Sequence, residues 1–317
     1  MPFEFTSPQT LDDALKLWHT DARWFAGGTD LVPELKTELA KPTRLVNVKG
    51  IADLYGIAET PSGLRIGALM TLTEIAESVM VRERCRAVAE SCAFAATPQL
   101  RHVATIGGNL AQDSRCQYYR GAFRCWLKGG DVCYMREGEN REAAVGGYHD
   151  CVHVHPSDPA VALVALDAKI AVRGRNGTRE IAAAEFFHTP ASGDRRLNNL
   201  QPDELITNLQ LPNFQNSRSN FLKTMDRAVW AFALVSAAVR LDLDGAKVRA
   251  ARIVLGGVAP IPWREERAEK VLIGQEPTEE LAARAAAQVL QSAEPLAHNA
   301  YKLRLARALV KRGILRG

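Results

Sequence analysis

Ala26-Gly27-Gly28-Thr29-Asp30-Leu31 and, about 80 residues later, Ala104-Thr105-Ile106-Gly107-Gly108-Asn109-Leu110 are the stretches on which the reading of this chain turns. The first lies between a predicted strand, Arg23 to Ala26, and a predicted helix, Leu31 to Leu39. A glycine pair at such a turn leaves backbone amides open to a ligand. The adjacent threonine adds a hydroxyl, and together these are what a phosphate oxygen needs. A lone Gly-Gly pair is more often only a tight turn. Two such loops converging can hold the two phosphates of a dinucleotide. Neither has Gly-x-Gly-x-x-Gly spacing, so a Rossmann fold and a nicotinamide site are disfavoured.

Around the loops, small helical and strand patterns alternate closely. Ser7-Pro8-Gln9-Thr10 reads as a helix start, and Arg44 to Val48 as a strand. Tyr55 to Glu59 and Leu64 to Leu69 flank Pro61-Ser62-Gly63 as a hairpin. Thr71 to Ser78 and Glu83 to Ala95 read as helices, the second carrying Cys85 and Cys92 on one face as core thiols. Pro159 to Leu166 is an apolar helix, and Lys169 to Arg173 and Glu204 to Leu211 are strands. After a boundary near 212–220, Phe232 to Leu243 and Lys247 to Leu255 form a hairpin around Asp244-Gly245. Helices over Arg264 to Leu272, Glu279 to Ser292 and Ala300 to Ile314 follow.

The chain's 317 residues are 47% hydrophobic and 24% charged, which suits two or three folded units rather than disorder. Its 40 basic and 36 acidic residues leave a net charge of only +4, with no Lys/Arg run interleaved with aromatics, so nucleic acid is a disfavoured partner. No signal segment is visible at the start, and no apolar run approaches the roughly 18 residues of a membrane span. The expectation is a soluble chain made in the cytoplasm. No Ser-His-Asp or paired-carboxylate arrangement suggests hydrolysis, and no catalytic residue is assigned.

Four of the six cysteines, Cys116, Cys125, Cys133 and Cys151, crowd between positions 116 and 151, the first three within a polar, glycine-rich stretch from Asp113 to Asp150 that lacks clean periodicity and the fourth just after it. A loop that long in a folded domain is usually functional or disordered. With eight, seven and seventeen residues between them, the cysteines match structural zinc spacing poorly, and thiolates spread along one loop suit an iron–sulfur cluster better. His149, His153 and His155 leave a mixed Cys/His zinc site as an alternative. Asp158, in His155-Pro156-Ser157-Asp158-Pro159, stands where it can cap the following helix or bind a hydroxyl of a ligand.

The two glycine loops, with Arg65-Ile66-Gly67-Ala68 between them and the Lys223 to Phe232 stretch after them, resemble the medium, FAD-binding subunit of the xanthine dehydrogenase, or molybdenum hydroxylase, family. The similarity runs from the first helix to the last. It implies an α+β fold: a vanillyl-alcohol-oxidase-type FAD-binding domain of two α/β subdomains over residues 1–215, with an iron–sulfur insertion at about 113–151, then a smaller C-terminal α+β domain of sheet plus helices over 216–317. It places the flavin pyrophosphate against Ala26, Gly27, Gly28, Thr29, Asp30 and Leu31 and against Thr105, Gly107, Gly108 and Asn109. Lys223 by resemblance lies near the flavin ring, where a cation favours an anionic reduced flavin. The hydroxyl that Asp158 can bind is, by the same resemblance, on the flavin side.

Asp113-Ser114-Arg115-Cys116, the glycine-bearing stretch before Cys133 and the Cys151 to Asp158 segment are similar to two branches, aldehyde oxidoreductase and 4-hydroxybenzoyl-CoA reductase, whose insertion carries a [4Fe-4S] cluster. The long gap before Cys151 looks more like the first, and Leu127-Lys128-Gly129-Gly130-Asp131 more like the second. The resemblance implies a molybdopterin-binding large subunit, a small subunit with two [2Fe-2S] clusters, and an external electron acceptor or donor, in a heterotrimer most similar to aldehyde-oxidising enzymes. It allows a periplasmic location only by co-export with a partner that carries a signal. The alternatives are a 4-hydroxybenzoyl-CoA reductase-like or N-heteroaromatic-hydroxylating enzyme and, from another class, a zinc-stabilised non-catalytic assembly subunit.

Overall fold

Three sheets divide the chain between them in the computed structural model, which describes residues 3–316. The first holds β1 (Glu4–Thr6), β2 (Ala22–Phe25) and β3 (Arg44–Asn47) in the order β1-β3-β2, all parallel. Parallel neighbours need crossovers, and the helices Leu11–Leu17 and Leu31–Lys36 lie in the two connections. Thr10 caps the first, its Oγ1 accepting from the Asp13 amide at 3.1 Å. The second ends at Lys36, short of the expected Leu39.

The second sheet, in the order β4-β5-β8-β6-β7, is antiparallel. It is built from β4 (Ile57–Thr60), β5 (Gly63–Gly67), β6 (Lys169–Gly174), β7 (Gly177–Ala182) and β8 (Leu205–Pro212). The predicted hairpin turn is present, and a Cβ on Gly63 would lie 1.9 Å from the Leu211 carbonyl oxygen, so glycine lets β5 and β8 pair. The edge strand β7 carries no sequence signal: Gly-Thr-Arg-Glu-Ile-Ala is mostly exposed and does not alternate. The expected helix pair over 71–95 is three helices, Leu72–Glu77, Val79–Arg84 and Arg86–Phe94. Cys85 and Cys92 are buried core thiols as expected, and burial pushes the Cys85 thiol up to about 12.

The third sheet is antiparallel, β12-β11-β10-β9, with β9 (Ser217–Thr224), β10 (Val235–Asp244), β11 (Lys247–Gly256) and β12 (Trp263–Arg264). β10 is buried along most of its length because both faces are covered. The helices Glu266–Leu272, Glu279–Ala287 and Tyr301–Leu315 form one core with it, and the fully buried helix Asp158–Ala165 packs against β10 and β11. Leu163 and Phe186 of the first half thus share a core with Phe221, Ala238 and Val254 of the second. Each such side chain stabilises by about 1.5–3 kcal/mol. The middle helix stops at Ala287 instead of the expected Ser292. The whole is the expected α+β architecture, and among the described residues no helix is long and apolar enough to cross a membrane.

The cysteine insertion has little regular structure beyond the helix Gln117–Arg120 and a tight turn at Trp126–Lys128. Its far end is moored to the third sheet and its helices. Lys302, 1% exposed, donates from Nζ to the carbonyls of Glu142, Ala143 and Gly257 at 2.8, 2.8 and 2.7 Å. Asn299 Nδ2 donates to the Ala143 and Ala144 carbonyls at 3.1 and 3.0 Å. A loop without its own ladder has its backbone acceptors satisfied in this way.

A candidate flavin groove and the cysteine insertion

The four glycines of the two loops serve different ends. A Cβ on Gly27 would sit 2.1 Å from the Val103 carbonyl oxygen, so this glycine lets the two loops touch. Gly28 has φ +71, a left-handed conformation open to glycine at no steric penalty. Gly107 packs on Ala68 and donates its amide to the Ala68 carbonyl at 2.9 Å. A Cβ on Gly108 would meet only Thr105 Oγ1, at 3.0 Å, so this glycine keeps space open rather than filling a packed interface. Thr105 caps the short helix Ile106–Leu110 by accepting from the Gly108 amide at 3.3 Å.

Between the loops lies a cavity of about 290 Å³ lined by Ala26, Gly27, Gly28, Thr29, Asp30, Leu31, Thr105, Gly107 and Gly108. It adjoins a second, of about 610 Å³, through Thr29, Asp30 and Gly108, and there Asn109, Asp158 and Lys223 join the wall. Every residue singled out from the glycine loops, together with Asp158 and Lys223, therefore borders one elongated groove. Its far end is bounded by Asp226, Arg227, Trp230 and Phe232. Trp230 there has φ +55 and is 62% exposed, and Asp226 is held by Arg141 of the insertion in a paired contact of 3.0 and 2.7 Å.

Asp158 does not cap its helix. The cap is Ser157, whose Oγ accepts from the Ala160 amide at 3.1 Å and donates to Asn109 Oδ1 at 2.5 Å. Asp158 takes the next position, and its carboxylate meets Lys223 Nζ at 2.7 Å, with side-chain exposures of 7% and 1%. Burial raises the Asp158 carboxyl's pKa and the ammonium counteracts it. Lys223 also donates to the Phe94 carbonyl at 3.0 Å. The lysine expected beside the ring is thus a paired charge, and it offers a reduced flavin less than a bare cation would.

Arg120 and Glu34 escaped the sequence reading, and Asp113 and Arg115 entered it only as part of the insertion motif, with no role at the glycine loops. Asp30 accepts from Arg115 at 2.8 Å, from Arg120 at 2.9 Å and from the Asp113 amide at 2.7 Å. Tyr119 donates its hydroxyl to Asp113 Oδ2 at 2.6 Å. Burial, reinforced by Asp30 and Asp113, pushes the Glu34 carboxyl up to about 7. No local pattern ties arginines in the insertion to an aspartate some 90 residues earlier.

Cys116, Cys125, Cys133 and Cys151 are all free thiols. The neighbouring thiols of Cys133 and Cys151 shift each other in opposite directions, Cys133 down and Cys151 up. Among the described residues no three His, Cys, Asp or Glu side chains are grouped so as to hold a metal ion. His153 and His155 are buried, and burial keeps them neutral, at about 4 and about 3. His155 packs on Phe187 at 4.5 Å between ring centres, and the alternative mixed Cys/His zinc arrangement is not formed among the described residues. Tyr118, Phe123 and Tyr134 cluster with ring centres 5.0 to 6.2 Å apart, and Tyr118, Cys116 and Cys133 pack around Met135, Ala143 and Val152.

Residues 1–214 match the family described as the FAD binding domain in molybdopterin dehydrogenase, and residues 220–316 match the CO dehydrogenase flavoprotein C-terminal domain. The chain is 38% identical over 292 residues to the aldehyde oxidoreductase FAD-binding subunit PaoB of Escherichia coli strain K12, covering 90% of this chain and 88% of that one. It is 28% identical to the CO dehydrogenase medium chain of Hydrogenophaga pseudoflava, covering 98% and 96%. Among solved structures, the reconstituted CO dehydrogenase from Oligotropha carboxidovorans superposes with a TM-score of 0.79 at 26% identity, over 100% of this chain and 98% of that one. With both halves matched in order and a groove formed where the glycine loops meet, the chain belongs to the FAD-binding medium subunits of the molybdenum hydroxylase family of oxidoreductases.

Proposed function

We propose that this chain is the electron-transfer subunit of a heterotrimeric, aldehyde-oxidising molybdenum enzyme, made in the cytoplasm, with FAD in the groove and a [4Fe-4S] cluster in the insertion. The observation that carries the flavin assignment is the continuity of the groove from the paired glycine loops to the buried Lys223–Asp158 pair. The aldehyde assignment is supported by the 38% identity to the aldehyde oxidoreductase subunit, against 28% to the CO dehydrogenase chain.

The groove fits a dinucleotide: Gly108 leaves open space beside the shared wall, Thr29 supplies a hydroxyl at the junction of the cavities, and Thr105 lines the first of them. Bound there, FAD supplies both one-electron and two-electron chemistry. Gly108 leaves room for the diphosphate while Gly27, Gly28 and Gly107 let the two loops pack closely beside it, Asn109 is oriented by Ser157, and Lys223 with Asp158 forms a neutral pair on the flavin-side wall. In this reading residues 1–215 carry the flavin and residues 216–317 close over it.

The donor set of the insertion fits an iron–sulfur cluster better than a single ion. A single ion draws its ligands into one coordination shell, whereas a cluster spaces its thiolates around its own body. Cys116, Cys125, Cys133 and Cys151 are unbridged, and the aromatic cluster of Tyr118, Phe123 and Tyr134 lies beside two of them. A cluster held by these four would supply one-electron chemistry. The partners in this reading are a molybdopterin-binding large subunit, a small subunit with two [2Fe-2S] clusters and an external electron acceptor.

The test is cofactor content after anaerobic purification. The expected result is one FAD with about four irons and four sulfides per chain. Cys125→Ser or Cys133→Ser should remove the iron, and Cys85→Ser should leave it. Zinc in place of iron, or iron that survives Cys133→Ser and is lost with Cys85→Ser, contradicts the cluster assignment.

A further inference from the structure

The first turn of the cysteine insertion reaches back into the groove. Asp30 and Glu34 line the first cavity, and Asp113 faces it from the insertion, so three carboxylates border a space assigned to a dinucleotide whose diphosphate is itself anionic. Like charges in a half-buried site oppose binding strongly. Against them stands Arg120, 2.9 Å from Asp30 Oδ1 and 3.0 Å from Glu34 Oε1, and Arg115, 2.8 Å from the same Asp30 oxygen. Arg115 also lines the second cavity and holds its guanidinium over the Phe232 ring at 5.5 Å. Its Nε–H is buried without an acceptor. A buried charged donor left without a partner is destabilising unless a bound group supplies the acceptor.

We infer that Arg115 binds the flavin and that Arg120 supports the site from behind: Arg120 neutralises the carboxylates Asp30 and Glu34 on the glycine-loop side of the groove, and Arg115 donates its Nε–H to an oxygen of the bound dinucleotide. This rests on the groove being the flavin site. It makes the start of the insertion a wall of that site rather than an addition beside it. The raised Glu34 carboxyl agrees, since burial and two neighbouring carboxylates outweigh the guanidiniums there and leave little margin for losing one.

The experiment is a fluorescence titration of the flavin-depleted full chain with FAD, with circular dichroism and thermal melting to check that each variant is folded. Arg120→Gln and Arg115→Gln should each weaken FAD binding by about tenfold to a hundredfold. Adding Glu34→Gln to Arg120→Gln should restore most of that affinity, because a carboxylate that is gone needs no neutralising. Arg115→Lys keeps the charge without the Nε–H, and should bind FAD as weakly as Arg115→Gln.

Wild-type affinity in Arg120→Gln, or no recovery in the double variant, overturns the neutralising role. Wild-type affinity in Arg115→Lys overturns the donor role. Should Arg120→Gln not fold, Glu34→Gln alone decides: it should bind FAD several-fold more tightly at pH 8, and no change overturns the inference. Gly108→Val separates this from the underlying assignment. If that variant keeps FAD, the groove is not the flavin site. If it loses FAD while both arginine variants keep it, only the role of the arginines is wrong.

Discussion

Gly27 and Gly108 look equivalent as letters and do opposite things. Gly27→Ala would drive a methyl into the Val103 carbonyl, and is expected to destabilise the fold by roughly 1–3 kcal/mol, read as a lower midpoint in urea unfolding. Gly108→Val meets no packed wall, so it should leave stability nearly unchanged and weaken FAD binding by more than about tenfold, seen as flavin lost on gel filtration. Glu34 adds a pH dependence. Its carboxyl titrates near 7 in the folded chain, above its ordinary value, so its contribution to stability is present at low pH and lost as pH rises through about 7. Above that point an ionised Glu34 opposes the diphosphate. FAD affinity should therefore fall between pH 6 and pH 8, and the slope should flatten in Glu34→Gln. The glycines were legible because turn chemistry is local. The Asp30 partners were not, because an ion pair across 90 residues leaves no trace in either segment.

At the scale of elements, the insertion keeps its shape through contacts far along the chain. Lys302 and Asn299 hold the carbonyls of residues 142–144 from the far side of the third sheet. Lys302→Met takes the Nζ donor from the Glu142 and Gly257 carbonyls and leaves Ala143 only its Asn299 bond, and should lower stability by about 2–4 kcal/mol, measured by urea denaturation. If the cysteines ligate a cluster, iron retention should fall with it. The strands and helices that bury one face, such as β10, β11 and the helix Asp158–Ala165, could be read from their apolar runs. The edge strand β7 and the path of the insertion could not, since one faces solvent and the other is shaped by tertiary hydrogen bonds. Asp158 shows the same limit on a smaller scale. Either Ser157 or Asp158 fits a helix start, and only the approach of Lys223 from β9 separates cap from ion pair.

As a whole molecule, the chain presents a groove between its glycine loops and a cysteine insertion on an α+β scaffold. In the proposed function it passes electrons and leaves substrate oxidation to a partner subunit. The most direct test follows the flavin absorbance anaerobically after mixing with an aromatic aldehyde, once with the isolated FAD-loaded chain and once with the chain assembled with its co-expressed large and small subunits. Rapid bleaching is expected in the assembled enzyme and none in the isolated chain. Bleaching of the isolated chain by aldehyde, or turnover by the assembled enzyme with its flavin remaining oxidised throughout, would contradict the proposed function.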